Sequence, residues 1–133
     1  MSTLKTGDKA SRSLTIRDET IRAFAEVTGD TNPVHLDDDY AAGTRFGRRI
    51  AHGMIAAGLI SATLANDLPG PGTVYLNQTL KFKLPVYPGD TVTATVEVLS
   101  VRPDKPIVTL ATVCTNQNDE VVLAGEAVVL FEG

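Results

Sequence analysis

The second half of the chain has the pattern of a β-sheet. Apolar and polar side chains alternate over residues 74–84 and 91–101, as in strands that bury one face. Residues 107–115 and 121–131 are two further predicted strands, and the short polar turns indicate an antiparallel meander. Near the start of the chain, residues 9–17 place apolar side chains on one face and predict one more strand.

Three helices are predicted between the first two strands, at residues 18–28, 33–42 and 53–64. Asp18 is the predicted N-cap of the first helix, and Gly29 is its predicted end. This helix cannot run through Pro33, because the residue before a proline avoids the helical conformation. Asn32 therefore caps the second helix, which begins at Pro33 and is closed by Gly43.

The third predicted helix, residues 53–64, carries no charged side chain on any face. A helix that is apolar all round is a buried helix, so other elements must cover it. The predicted strands are the elements that can do so. We therefore predict an α+β fold in which one curved antiparallel sheet surrounds this helix.

Composition and charge narrow the class of protein. The chain has 133 residues, of which 43% are hydrophobic, and this fits one domain over residues 1–133. A net charge of -4 and an aromatic content of 5% argue against nucleic acid as a partner. The single cysteine, Cys114, cannot form an intrachain disulfide. Because no apolar leader core or membrane-length apolar run is found, we expect a cytoplasmic protein without a membrane partner.

Asp30 and His35 are the sharpest candidates for chemistry. A carboxylate and an imidazole on one tight bend can both reach a single water molecule, as general acid–base chemistry on water requires. Pro33 stiffens this bend, and Asn32 can hold it through side-chain bonds to the backbone. The alternative is that Asp30 only caps the short helix and that His35 is a surface or core residue.

The start of the apolar helix is a second candidate. Free backbone N–H groups and a partial positive charge lie at a helix N-terminus, and Gly53 would let a ligand carbonyl approach closely. Such a site can stabilise a developing enolate oxygen. The alternative is that Gly53 only permits close packing between helix and sheet. We expect His52 to order the loop rather than to react.

Basic residues form a third group, comprising Arg45, Arg48, Arg49, Lys81 and Lys83. These side chains can contact the phosphates of a nucleotide-bearing ligand. A solvated surface role is the alternative for each of them, and the two lysines also suit an edge strand that resists aggregation. No glycine-rich phosphate loop, serine nucleophile motif or set of His and Cys ligands at metal spacing is present, so we expect no metal or cofactor.

Two motifs resemble a known family. Residues 24–35 have the sequence FAEVTGDTNPVH, which resembles the hydratase 2 motif of the MaoC-like family. Residues 50–54, IAHGM, resemble the second signature of that family. Residues 68–76 and 82–90 are similar to the small bacterial (R)-specific enoyl-CoA hydratases of polyhydroxyalkanoate synthesis.

This resemblance implies a hot-dog fold and assigns roles to particular positions. It implies that Asp30 and His35 are the catalytic pair, and that the N–H of Gly53 binds a thioester carbonyl. Asn32 would support the pair. Ser61 would line the acyl pocket, although a helical serine bonded to its own backbone is the alternative.

The same resemblance implies the reversible, (R)-specific hydration of trans-2-enoyl-CoA to (R)-3-hydroxyacyl-CoA by a homodimer, without a metal or redox cofactor. Arg48 and Lys83 are then candidates for substrate binding. Three alternatives remain open: a dehydratase acting on acyl-carrier-protein thioesters, a hot-dog thioesterase, and a non-catalytic acyl-CoA binder.

Overall fold

The alternating segments form one sheet of six antiparallel strands in the computed structural model, which describes residues 4–133. The strands are β1 (Lys9–Thr15), β2 (Val74–Gln78), β3 (Lys81–Phe82), β4 (Thr91–Val101), β5 (Ile107–Thr115) and β6 (Val121–Leu130). Their order across the sheet is β1-β4-β5-β6-β2, and β3 pairs with β6. The first three residues of the expected domain, where a leader would begin, lie outside the described residues.

The helices lie between β1 and β2, as predicted. They are α1 (Asp18–Thr28), α2 (Pro33–Leu36), α3 (Asp38–Ala42) and α4 (Gly53–Asn66). The prediction of one helix over residues 33–42 is wrong, because Asp37 takes an extended backbone conformation and divides it. The carboxylate of Asp37 then accepts the backbone N–H groups of Asp39 and Tyr40, which begins α3 anew.

The N-cap of α1 is Arg17 and not Asp18, so this prediction is wrong by one residue. The hydroxyl of Thr20 accepts the backbone N–H of Arg17 and so fixes the start of the helix. The carboxylate of Asp18, which is not needed as a cap, accepts instead from the guanidinium groups of Arg22 and Arg49.

The strand predicted over residues 74–84 is interrupted between β2 and β3. At the interruption, the backbone N–H of Thr79 donates to Glu126, and the hydroxyl of Thr79 accepts from the N–H of Glu126. Gly125 makes this crossing possible, because a Cβ there would overlap the carbonyl oxygen of Thr79. A side chain therefore replaces part of the regular ladder, which alternation alone did not indicate.

The apolar side chains of this interrupted segment are not covered within one copy of the chain. Leu76 is 52% exposed and Phe82 is 53% exposed, although the alternation predicted a buried face. Val74 and Leu84 are also exposed. The edge strand β2 therefore presents an uncovered apolar surface.

The charge-free helix α4 is buried against the concave face of the sheet, as predicted. Its buried residues form one broad face of the helix, whereas Met54 and Gly58 on the opposite side are exposed. The buried residues are Ile55, Ala56, Ala57, Leu59, Ile60, Thr63 and Leu64. Alternate residues of β4 complete the same core, namely Val92, Ala94, Val96 and Val98. A curved antiparallel sheet around one apolar helix is the hot-dog fold, so the predicted α+β class is confirmed. Within residues 4–133, no helix has the length and apolar character that crossing a membrane requires.

Candidate active site

A tight bend after α1 carries Asp30. Gly29 ends α1 in the left-handed conformation, with φ of 80°, and turns the chain away from the helix. Asp30 Oδ1 accepts the backbone N–H of Asn32 at 3.3 Å. Asn32 Oδ1 in turn accepts the N–H of Val34 at 3.1 Å and so caps α2. These two bonds fix the bend, on which Asp30 is exposed.

Two imidazoles meet at this bend, not one. Asp30, His35 and His52 each bring a side-chain N or O atom within 4.8 Å of the others. His35 is 9% exposed and His52 is 3% exposed. Sequence reasoning gave His52 a role only in its loop. The available signal was that both histidines of the chain fall inside the two family-like motifs.

The hydrogen bonding of His35 fixes which of its nitrogens is free. His35 Nδ1 lies 2.8 Å from the carbonyl oxygen of Ile50. Because a carbonyl oxygen only accepts, Nδ1 carries the proton of the neutral ring and Nε2 keeps its lone pair. Burial lowers the pKa of His35, while the bond to Ile50 opposes that shift and the neighbouring His52 adds to it. His35 is therefore suited to accept a proton near neutral pH.

Acid is expected to weaken both activity and fold through His35. Because burial lowers its folded-state pKa below the ordinary 6.5, the unfolded chain binds this proton at higher pH than the folded chain. The stability due to neutral His35 is complete above pH 6.5 and is lost as the pH falls through the lower folded-state pKa. Urea unfolding from about pH 7.5 to about pH 5 should show a larger acid loss for the wild type than for His35→Gln. A larger loss in the variant would contradict this assignment, as would an acid limb of kcat/KM above pH 6.5.

The arrangement suits proton transfer better than metal binding. The rings of His35 and His52 are in contact, with centroids 3.9 Å apart and planes tilted by 33°. The nitrogens left without a hydrogen bond to a carbonyl are Nε2 of His35 and Nδ1 of His52, and the second of these is buried. One nitrogen of each ring also faces a backbone carbonyl oxygen, that of Ile50 or of Asp30.

A largely apolar cavity of about 500 Å³ opens beside His35. Its lining includes residues from the start of α4, from β3 and the residue after it, and from β6: Gly53, Met54, Ala56, Phe82, Lys83 and Leu123. Neither His52 nor Asp30 is part of this lining, and Asp30 is exposed next to His35. The imidazole that faces the cavity is therefore that of His35.

Gly53 begins α4 at the wall of this cavity. Its backbone N–H is one of the first four of the helix, which have no partner within the helix. A Cβ at this position would lie 2.7 Å from Cε1 of Phe82. Gly53 therefore does permit close packing between helix and sheet, as the alternative explanation expected. Its backbone N–H is nevertheless free and points along the helix axis.

The three residues proposed for substrate binding lie in different places. Lys83 lines the main cavity. Arg48 lies 3.8 Å over the ring of Tyr87 and borders a second cavity of about 410 Å³. Ser61 is partly buried on α4, two turns beyond Gly53, and does not line the main cavity.

Arg49 is not available for phosphates. Its guanidinium bonds the carboxylates of Asp18 at 2.6 Å and Asp38 at 2.7 Å, so it joins α1 to α3. Arg45 and Lys81 are exposed, and neither forms an ion pair with a described residue. The sequence alone does not distinguish Arg49 from Arg45 and Lys81, because it does not show which acidic side chains fold next to each basic one.

Fold and site together are those of a hot-dog protein in which one carboxylate and two imidazoles meet near the N-terminus of the central helix. The family model described as "MaoC like domain" matches residues 2–119. The chain belongs to the MaoC-like family.

Similar proteins carry names of hydro-lyases. An (R)-specific enoyl-CoA hydratase of Rhodospirillum rubrum is 53% identical over 127 residues, which cover 96% of this chain and 88% of that protein. A 3-hydroxybutyryl-CoA dehydratase of Methylorubrum extorquens is 56% identical over 106 residues, or 80% of this chain and 67% of that protein. Among solved structures, the (R)-hydratase of A. caviae involved in PHA biosynthesis matches with a TM-score of 0.93 and 48% identity, over 97% of this chain and 98% of that one.

Proposed function

We propose that this protein is an (R)-specific enoyl-CoA hydratase. It adds water reversibly to a trans-2-enoyl-CoA and forms the (R)-3-hydroxyacyl-CoA. The observation that carries the proposal is the juxtaposition of Asp30 with His35, a residue with a free Nε2 that lines the cavity at which α4 begins. The curated relatives reported above support the same reaction class.

The helix N-terminus binds the thioester carbonyl in this proposal. The carbonyl oxygen accepts the backbone N–H of Gly53, where the helix dipole also favours negative charge. Polarisation of the carbonyl withdraws electrons from the conjugated double bond and makes C3 electrophilic. The same N–H then stabilises the enolate oxygen that develops as water adds.

Asp30 and His35 activate the water. The carboxylate and the unprotonated Nε2 are both acceptors, so each can take one hydrogen bond from the same water molecule. The water oxygen bonds to C3 as Asp30 takes its proton, and the pair then returns a proton to C2. The net change is one water added, so the chemistry needs neither a redox cofactor nor a metal. Asn32 keeps the bend in place.

The direct test is loss of the absorbance of the conjugated double bond in crotonyl-CoA, followed by chiral analysis of the product. Formation of (R)-3-hydroxybutyryl-CoA is expected. Faster turnover of the matching carrier-protein thioester would instead favour the dehydratase. Release of thiol from a saturated acyl-CoA would favour a thioesterase. Tight binding of acyl-CoA without turnover would identify a non-catalytic binder and refute the proposal.

The acyl chain extends along α4 in this proposal. Ser61 lies eight residues beyond Gly53, or about 12 Å along the helix axis at the usual rise per residue. It therefore meets only the far end of a bound chain. This position fits a preference for short to medium acyl chains.

Two cations are proposed to bind the phosphates of CoA. Neither Lys83 nor Arg48 pairs with an acid within residues 4–133, and both border cavities that share Leu84 and Pro85. The cation–π contact with Tyr87 also holds the Arg48 guanidinium in place. A local basic site of this kind accommodates an anionic ligand despite the net charge of -4.

Removing either charge is expected to weaken substrate binding more than catalysis. Lys83→Gln and Arg48→Gln should each raise KM for crotonyl-CoA roughly three- to tenfold, with kcat little changed and a weaker salt dependence of KM. Lys105→Gln is the matched control, because Lys105 is an exposed lysine in the β4–β5 turn. An unchanged KM in both variants would remove these residues from the substrate site.

We also propose that the protein is a homodimer. The apolar side chains exposed on β2 and β3 form a surface that a second copy would cover, and β2 is an edge strand. The wild type is expected to sediment as a dimer at micromolar concentration, and Leu76→Lys should shift it toward the monomer. Leu99→Lys is the control, since Leu99 is 41% exposed on a different strand. A monomeric wild type would refute this proposal.

We propose, finally, that residues 1–133 act as one domain in the cytoplasm. Two features support this proposal. The elements share a single core around α4. The only cysteine, Cys114, is a buried free thiol, which suits a reducing compartment.

A further inference from the structure

His52 is the histidine that the proposed chemistry does not use. Its Nε2 lies 3.0 Å from the backbone carbonyl oxygen of Asp30, although the two residues are 22 positions apart. Because a carbonyl oxygen only accepts, Nε2 donates and carries the proton of the neutral ring. A buried side chain thus ties the first turn of α4 to the bend that carries the carboxylate.

The ring of His52 packs against two other rings. The His35 ring lies against it at a centroid distance of 3.9 Å, and Phe24 at 4.8 Å. The remaining nitrogen, Nδ1, is buried without a hydrogen-bond partner in the described part of the chain. An unsatisfied polar nitrogen in a core costs free energy, and phenylalanine would fill a similar volume without that cost. Packing alone therefore does not explain a histidine at this position.

The hydrogen bond from His52 connects Asp30 to the N-terminus of α4, and no other hydrogen bond of Asp30 does so within residues 4–133. His35 is already fixed by the carbonyl oxygen of Ile50. The other hydrogen bonds of Asp30 run to Thr28 and Asn32, which belong to the same bend. Among residues 4–133, the bond from His52 alone joins Asp30 to the helix N-terminus.

We propose that His52 is a positioning residue for the hydration reaction. It sets the distance between the Asp30–His35 pair and the backbone N–H of Gly53, which is its own neighbour in the chain. The water attacks C3 while the thioester carbonyl is bound at Gly53. This distance therefore decides whether the carbonyl can be hydrogen-bonded at the moment when the water is within reach of C3. This inference rests on the proposed hydratase function.

The test replaces the ring in two ways. His52→Phe keeps an aromatic ring for stacking but removes the donor, whereas His52→Gln keeps a donor at the corresponding position. His52→Phe is expected to lower kcat for crotonyl-CoA on the order of 10²-fold with KM within about twofold, and His52→Gln should recover most of that loss. Thr63→Val is the matched control, because Thr63 is a buried polar residue of α4 bonded to Leu59 in its own helix.

Two readouts separate positioning from a merely structural role. The acid limb of the pH profile should move to higher pH in His52→Phe, since the imidazole facing His35 lowers the pKa of His35 while Asp30 raises it. Amide exchange at Asn32, whose N–H is bonded to the Asp30 carboxylate, should accelerate in His52→Phe and not in Thr63→Val.

Several outcomes would contradict a positioning role for His52. Normal kcat in His52→Phe would overturn the proposal, as would an equal loss of kcat in Thr63→Val. Inactivity of both His52 variants at the level of Asp30→Asn, with folded protein, would make His52 a reacting group and would also overturn it. If the wild type does not hydrate crotonyl-CoA, the proposed function fails. The exchange measurement still reports whether His52 holds the bend.

Discussion

Asp30→Asn is expected to lower kcat for crotonyl-CoA by at least about 10³-fold while the protein remains folded. The amide keeps an oxygen that accepts the N–H of Asn32, so the bend is retained. It cannot take a proton from water, however, and the reaction loses its base. Because Asp30 is exposed, the substitution leaves no buried charge unpaired. The absorbance of the conjugated double bond measures the rate, and circular dichroism with thermal unfolding measures the fold.

Asp39→Asn provides the control for this loss. Asp39 is an exposed carboxylate in the first turn of α3, and its side chain makes no hydrogen bond with a described residue. It should retain wild-type activity. In Asp30→Asn, kcat/KM for dehydration of (R)-3-hydroxybutyryl-CoA must fall by the same factor as kcat/KM for hydration, because the overall equilibrium constant fixes the ratio of the two values. Turnover of Asp30→Asn within tenfold of the wild type would refute the proposed role.

Gly53→Ala is expected to cost about 10²- to 10³-fold in kcat/KM, the usual effect of disabling one oxyanion donor. The N–H remains, but the new methyl group stands where the thioester carbonyl must approach. It would also lie 2.7 Å from Cε1 of Phe82, so the aromatic ring must move. Because Phe82 is 53% exposed, its ring can move toward solvent, and stability should fall less than activity.

A double-mutant cycle separates the two effects of this methyl group. Phe82→Ala removes the ring and leaves Gly53 unchanged, and the double variant carries the methyl group without the clash. If obstruction of the carbonyl causes the loss, the methyl group lowers kcat/KM equally with and without Phe82. Full recovery in the double variant relative to Phe82→Ala would show that Gly53 serves packing alone.

Elements with a strong local pattern could be predicted from the sequence. The charge-free stretch predicted that α4 would be buried, and the Gly29 and Pro33 signals placed the bend between two helices. The spacing of Asp30 and His35 predicted that their side chains would meet, since only one short turn separates them. These features depend on residues that are close in the chain.

Features that depend on distant residues could not be predicted. The interruption between β2 and β3 arises where Thr79 crosses Gly125, a contact with no local pattern. The placement of His52 beside His35 requires α4 to pack next to the bend. The ion pairs of Arg49 likewise require α1 and α3 to be neighbours. In each case the chain folds back over many residues before the contact forms.

The apolar character of α4 on every side has a consequence for biosynthesis. During translation, this helix leaves the ribosome before any residue of β4, β5 or β6, the strands that later enclose it. About 60 residues separate the end of α4 from the end of β6, or several seconds of synthesis at roughly 5–20 residues per second. Throughout that interval the nascent chain exposes an apolar segment that has no polar face to direct toward water. Because β4, β5 and β6 follow α4 in the chain, we expect the nascent chain to bind chaperones until these strands have been made.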